Sequence, residues 1–153
     1  MTVYRLRTPI GDDDVSRLAA GDIIYASGTV FTARDEAHME LLEHGAPPGL
    51  DMTGLVLYHC GPVMRKVDGE WRVVAAGPTT SFRMESVEPA FLARFPVKVI
   101  IGKGGMGEDT LRALEEHNAV YVSFTGGAGA LAAKGLGAVR EVHYLDELGM
   151  PEA

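Results

Sequence analysis

Three times in this chain an apolar, β-branched run breaks at glycine and gives way to a helical pattern. Trp71-Arg-Val-Val-Ala-Ala76 meets Gly77-Pro-Thr-Thr-Ser-Phe-Arg-Met84, Val97-Lys-Val-Ile-Ile101 meets Gly102-Lys-Gly-Gly-Met-Gly107, and Ala119–Phe124 meets Thr125-Gly-Gly-Ala-Gly129. Strand, glycine loop and helix in succession call for crossover connections, so this half of the chain predicts parallel strands in an α/β sheet. In such a sheet the loops that follow the strands gather on one edge, where ligands bind.

The remaining segments fill out a mixed α/β domain, hairpin-rich in its first half and partly parallel in its second. Val3–Arg7 reads as a strand, Asp12–Ala20 as one or two helical turns, and Asp22–Thr32 as strand-rich around Ser27-Gly28. Ala33–His44 predicts a helix, with Ala33, Ala37 and Leu41 on one face and Thr32 with Asp35 resembling a capping box. Leu55–Cys60 has the few polar positions of a central strand. Val63–Val67 and Glu70–Ala75 flank Asp68-Gly69, a strong hairpin signal. Helices are predicted over Arg83–Phe95, with Met84, Val87, Phe91 and Leu92 on one face, over Glu108–Asn118, and briefly up to Lys134. Val139–Leu145 reads as a last strand. Neither a repeat nor a linker divides residues 1–153, which are expected to form a single domain.

Charge and cysteine content narrow the partners. The net charge of −7 argues against nucleic acid, which needs a basic face. No apolar run is long enough to span a membrane, and Met-Thr-Val-Tyr-Arg-Leu-Arg lacks a signal-peptide pattern. The one cysteine, Cys60, permits no internal disulfide, and a cytosolic setting is the simplest expectation.

Against that acidic background, Arg34, Arg83 and Lys103 each stand near a predicted helix start, where the helix dipole disfavours cations. An anion held between them, the nearby hydroxyls of Thr79, Thr80 and Ser81, and the free N–H groups would resolve the conflict. A small dicarboxylate suits such a clamp. Three unrelated surface cations and plainly capped helices suit the same residues. Gly102–Gly107 also spells G-x-G-x-x-G, and Gly127–Ala132 its G-x-G-x-x-A variant. The first is followed by a strand ending without an acid to hold a ribose, and the second by too short a crossover helix. Both count against a dinucleotide. The histidines show no metal-ligand spacing, so no metal is assigned to this chain. His38 shares a helix face with Arg34, beside the expected site or as an interfacial histidine, and Cys60 reads as a buried, inert thiol.

Several separated motifs carry a family resemblance: Gly28-Thr-Val-Phe-Thr-Ala-Arg-Asp35 with His38, His59-Cys-Gly-Pro62, Gly77–Met84 and Gly102-Lys-Gly-Gly-Met106. Over almost its whole length the chain resembles the β subunit, or C-terminal domain, of class I iron–sulfur fumarate hydratases and L-tartrate dehydratases. The resemblance implies a swivelling β/β/α domain that pairs, as αβ or α2β2, with an α subunit holding a [4Fe–4S] cluster. It implies Thr79 as the catalytic group handling the C3 proton. It makes Arg34, Arg83 and Lys103 ligands of the substrate carboxylates, with Thr80, Ser81 and the loop N–H groups beside them, and His38 and Gly104 adjacent. The expected reaction is fumarate plus water to malate, with tartrate dehydration as the alternative. A non-catalytic dicarboxylate- or nucleotide-binding module is the rival of another class. Members of the family continue past Met150-Pro-Glu-Ala153 with a further apolar segment. The chain is therefore expected to be a naturally short form or a truncated one, with a less complete final sheet.

Overall fold

Chain order sets out the parts of a computed structural model that describes residues 1–153. They are β1 (Val3–Arg7), α1 (Asp12–Ser16), β2 (Ile23–Ser27), β3 (Val30–Ala33), α2 (Asp35–His44), β4 (Val56–His59), β5 (Val63–Val67) and β6 (Glu70–Ala75). A 3-10 turn (Ser81–Met84) follows, then α3 (Glu88–Arg94), β7 (Val99–Gly102), α4 (Glu108–Glu116), β8 (Val120–Ser123), α5 (Gly129–Gly135) and α6 (Leu145–Leu148).

The organising element is a four-stranded parallel sheet in the order β3-β4-β7-β8. Every residue of β4 is buried, which explains why Leu55–Cys60 carries so few polar positions. Successive β4 side chains serve opposite faces. Leu57 joins the cluster of Ala37, Leu41, Phe91, Leu92 and Leu114, contributed by α2, α3 and α4. Val56 joins Leu6, Ile10, Val15 and Val99, so β1 and α1 cover the second face. Towards its C-terminal end that face is closed by Tyr58, Cys60 and Ala76, with Val73 of β6 and Ala132 and Leu136 from α5 and its end packed on them. Helices, parallel sheet and a layer of smaller β elements give the β/β/α order that the resemblance implied.

The antiparallel pair is the β5–β6 hairpin, where Asp68 and Gly69 both take positive φ, 52° and 84°, as a tight hairpin turn of right-handed twist requires. Parallel pairing reaches further into the first half than its hairpin-rich reading suggested: β1 and β2 run parallel as a separate two-stranded sheet, with α1 between them in sequence.

Two predicted elements differ. The helix expected over Arg83–Phe95 is broken into the 3-10 turn and α3, because Pro89 has no N–H to give the carbonyl four residues back and its ring crowds that carbonyl. Proline in the first turn of a new helix is well placed, so α3 restarts at Glu88. Val139–Leu145 pairs with no strand; Leu145 instead begins α6, preceded by Tyr144 in the left-handed region.

Candidate functional site

The C-terminal ends of the parallel strands bring the glycine loops together. The Thr79-Thr80-Ser81 segment is laid between the ends of β4 and β7. The Thr79 N–H donates to the His59 carbonyl at 2.7 Å, and the Ser81 N–H donates to the Lys103 carbonyl at 2.9 Å. Thr80 and Lys103 form a parallel bridge, so the segment acts as a short strand between two neighbours. Gly104 packs beneath it: a Cβ there would stand 3.5 Å from the Thr80 methyl. The Lys103 side chain runs past Gly126, where a Cβ would meet its Cδ at 3.4 Å. Arg34 follows β3, and its guanidinium group crosses the glycine after Cys60: a Cβ on Gly61 would stand 2.8 Å from Nε. Arg83 reaches Asp35, the neighbour of Arg34, in an exposed ion pair. Thus the sequence-predicted residues Arg34, Thr79, Thr80, Arg83, Lys103 and Gly104 do gather on one edge.

Their electrostatic setting differs from expectation. Arg34 is the N-cap of α2, but the free N–H groups there are taken by a protein carboxylate. Glu152, fully buried, accepts from the N–H of Arg34 at 3.0 Å and of Ala37 at 2.8 Å, and pairs with Arg34 Nε at 3.3 Å. Thr32, expected to cap α2, instead donates its hydroxyl to the Glu152 carbonyl. The start of α4 is filled in the same way. The Glu85 carboxylate accepts from the Gly107 N–H at 2.7 Å, the Thr110 N–H at 3.2 Å and the Thr110 hydroxyl at 2.6 Å. That is where a dinucleotide's pyrophosphate would have to sit, so the G-x-G-x-x-G pattern is used for an internal cap. Arg83, on its 3-10 turn, stands at no α-helical start at all. The cations are therefore not placed by helix dipoles. They are held by strand ends, and two of them by carboxylates. Lys103 has no ion pair, and the hydroxyls of Thr79 and Thr80 make no hydrogen bond within the chain.

Ser81 faces away from this edge. It is fully buried, its hydroxyl lying 2.9 Å from His59 Nδ1 and accepting from the Tyr121 hydroxyl at 3.1 Å, so it cannot meet a ligand as expected. The Gly105 N–H in turn donates to the Tyr121 oxygen at 3.3 Å. On the other side of His59, Nε2 stands 2.9 Å from Glu88 Oε2, and the same oxygen lies 3.2 Å from His38 Nε2. His38 Nδ1 completes the row at 2.7 Å from the Arg34 carbonyl. His38, His59 and Glu88 are all fully buried. Burial alone would raise the Glu88 carboxyl, but the two imidazoles beside it hold it down at about 2. Burial alone would lower His38, yet Glu88 and the Arg34 carbonyl leave it raised. His38 thus lies directly behind the site. The spacing of the histidines in sequence hid the cluster, because its members come from three different elements. One signal was legible: Glu88 falls on the apolar stripe of Met84, Phe91 and Leu92, where a solvated acid has no place.

Cys60 is fully buried, and burial pushes its thiol up to about 12. A lone, protonated, enclosed thiol does not fit the thiolate ligands of an iron–sulfur cluster. A cavity of about 730 Å³ lies away from this edge, between Ala26–Thr32 and Leu136–His143, and is lined by none of Arg34, Thr79, Arg83 or Lys103. No helix is long and apolar enough to cross a membrane.

Fold and site together define an α/β domain whose parallel-sheet edge presents cations and unengaged hydroxyls. The chain belongs to the Fumarase C-terminus family, whose model matches residues 2–153. It is 44% identical over 143 residues to a putative L(+)-tartrate dehydratase subunit beta of Methanocaldococcus jannaschii, covering 92% of this chain and 73% of that protein. It is 43% identical over 148 residues to the L(+)-tartrate dehydratase subunit beta of Escherichia coli K12, covering 97% and 73%. A putative fumarate hydratase class I of Geobacillus stearothermophilus is 43% identical over 152 residues, 99% of this chain but 29% of that longer protein.

Proposed function

We propose that this chain is the non-cluster subunit of a two-subunit hydro-lyase that interconverts a hydroxy C4 dicarboxylate and its alkene. Fumarate and malate are the first choice. Tartrate is the second reading, favoured by the two relatives named as separate tartrate dehydratase β subunits. The observation that carries the proposal is the wedge of Thr79 and Thr80 between β4 and β7, with free hydroxyls beside the unpaired Lys103 and the two tethered arginines. The partner, on this reading, is an α subunit holding a [4Fe–4S] cluster, whose iron serves as a Lewis acid when present.

In this chain Arg34, Arg83 and Lys103 bind the substrate carboxylates. Glu152 and Asp35 fix the two guanidinium groups while leaving further N–H donors free, since each guanidinium has five. Lys103 supplies the uncompensated positive charge. Thr79 carries the proton to and from C3, on the substrate face that this chain covers, and Thr80 steadies the bound acid. The test is kinetic, in the enzyme assembled with its cluster-bearing partner. Thr79→Val keeps the shape, removes the hydroxyl and should lower kcat by about 10²–10⁴ while leaving KM similar. Thr79→Ser should retain much more activity, and Thr80→Val should cost less than Thr79→Val. Near wild-type turnover by Thr79→Val sinks the assignment.

A further inference from the structure

We propose that Glu88, buried behind the site and out of reach of any substrate, is the positioning residue that fixes Arg34 and Thr79 relative to each other. This rests on the reading that those two residues meet the substrate.

Glu88 is the first residue of α3, yet its carboxylate is enclosed between the rings of His38, from α2, and His59, from the end of β4. Each histidine grips one half of the site. His38 holds Arg34: the Arg34 carbonyl receives the His38 backbone N–H at 3.0 Å and lies 2.7 Å from ring Nδ1. His59 holds the threonine segment twice. Its carbonyl accepts the Thr79 N–H, and its Nδ1 meets the Ser81 hydroxyl two residues on. Glu88 Oε2 touches both rings and joins the two grips. Through Ser81 and Tyr121 the row continues to the Gly105 N–H, in the loop that carries Lys103.

The ends of this row orient its outer groups. The Arg34 carbonyl can only accept, so His38 Nδ1 carries a hydrogen. The Gly105 N–H can only donate, so the Tyr121 oxygen accepts from it, and the Tyr121 hydroxyl donates to Ser81. At the centre the two Nε2 atoms stand 2.9 and 3.2 Å from Glu88 Oε2 without forming a hydrogen bond, so the link there is electrostatic. The lowered Glu88 carboxyl and the raised His38 agree with that pairing. An electrostatic centre with hydrogen bonds on either side ties both loops to one buried carboxylate.

Two alternatives fit less well. A device for stability alone is better made from apolar side chains, because enclosing charges costs more than it returns. Here both Glu88 oxygens and the Nε2 atoms of both imidazoles are buried without a hydrogen bond, a cost that a purely stabilising device would avoid. A metal centre is the other alternative, since the three residues offer ligand atoms close together. The imidazoles stand 2.9 and 3.2 Å from one carboxylate oxygen, within direct ion-pair distance, and a zinc assay separates the two arrangements.

The test uses the assembled enzyme with fumarate, or L-tartrate should fumarate not turn over. Glu88→Gln keeps the shape and removes the charge. It should lower kcat about 10- to 100-fold, the scale expected when a catalytic group is misplaced by an ångström or less. Glu88→Asp should fall between Gln and wild type. The deciding measurement is the cycle with Thr79→Val. If Glu88 acts through Thr79 and Arg34, the double variant Glu88→Gln with Thr79→Val loses clearly less kcat than the product of the two single losses, whereas an independent structural defect would multiply in full. Ser81→Ala, which removes one hydroxyl and no charge, runs the same cycle should Glu88→Gln fail to fold. Independent multiplication, or a silent Glu88→Gln beside a costly Thr79→Val, overturns this inference and leaves the functional reading standing. A silent Thr79→Val overturns the functional reading first. Stoichiometric zinc that is lost in Glu88→Gln would replace the ion pair by a metal centre and overturn the inference as well.

Discussion

A cation at the edge of this molecule is defined by what already holds it. Lys103 has no ionic partner, Arg83 shares an exposed pair with Asp35, and Arg34 leans on the fully buried Glu152. These settings predict an order of effects. Lys103→Met strands nothing, so it should raise KM or lower kcat while leaving Tm nearly unchanged. Arg83→Ala should have similar kinetic effects, with a stability loss within about 1 kcal/mol, the worth of an exposed pair. Arg34→Ala should cost stability as well as activity, because it leaves an enclosed carboxylate without its cation. Kinetics of the assembled enzyme and thermal unfolding of the same variants check the order, and normal kinetics with a large fall in Tm for Lys103→Met would make it a structural cation. The sequence disclosed these cations because each stands near a predicted helix start, where the dipole disfavours positive charge, although strand ends and carboxylates are what hold them. It hid Glu85 and Glu152, since a carboxylate that folds inwards looks like any surface acid until its partners from distant elements are known, and it betrayed Glu88 only by that residue's place on an apolar stripe. Ser81 was misread for a related reason: two adjacent threonines face the edge, and the next residue on the turn points the other way.

Elements end where their chemistry forces them to, and here the ends make the site. Pro89 separates the 3-10 turn from α3, so that Glu85 stays near the start of α4 while Glu88 turns into the core. Sequence periodicity made one helix of this stretch, because Met84, Phe91 and Leu92 do share a buried side; Pro89 was the contrary signal. Val139–Leu145 had the composition of a strand but pairs with none, and composition does not supply a partner. Glu85 offers an element-scale test. Burial alone would raise its carboxyl, but the Thr110 hydroxyl and the N–H groups of Gly107 and Thr110 outweigh that and hold it below the ordinary range. A carboxyl lowered by folding adds stability that is present above its unfolded value of 4.5 and is lost as pH falls through the folded value. Glu85→Gln should therefore cost about 1 kcal/mol at neutral pH, as loss of a good helix cap does. The difference from wild type should shrink as pH falls below 4.5. Denaturant unfolding of both proteins across that range checks it, and a difference that does not change with pH would remove Glu85 from the cap.

On the proposed reading, the whole molecule presents one half of a site. Its parallel sheet, covered by helices on one face and by small β elements on the other, leaves the strand C-termini as the place where loops with different chemistry meet. That edge has cations, hydroxyls and a rigid backing. Cys60, the one thiol, is enclosed and protonated. Cluster ligation calls for several thiolates, so on the proposed reading the cluster is held outside these 153 residues. The relative from Geobacillus stearothermophilus, of which this chain covers 29%, shows that the same domain also occurs within a much longer protein. On the proposed reading, the purified chain is colourless and has no hydro-lyase activity. Adding a reconstituted cluster-bearing α subunit should yield activity on a C4 hydroxy dicarboxylate, with all iron remaining in the α subunit. Titrating a fixed amount of α subunit with this chain should saturate at a fixed ratio of the two, and Lys103→Met should saturate at the same ratio with a higher KM, since Lys103 serves the substrate and not the docking. Visible iron–sulfur absorbance that stays with this chain after separation would refute the division of labour. Full activity of the α subunit without this chain would refute it equally, because the face of the substrate assigned to Thr79 would then be served from elsewhere.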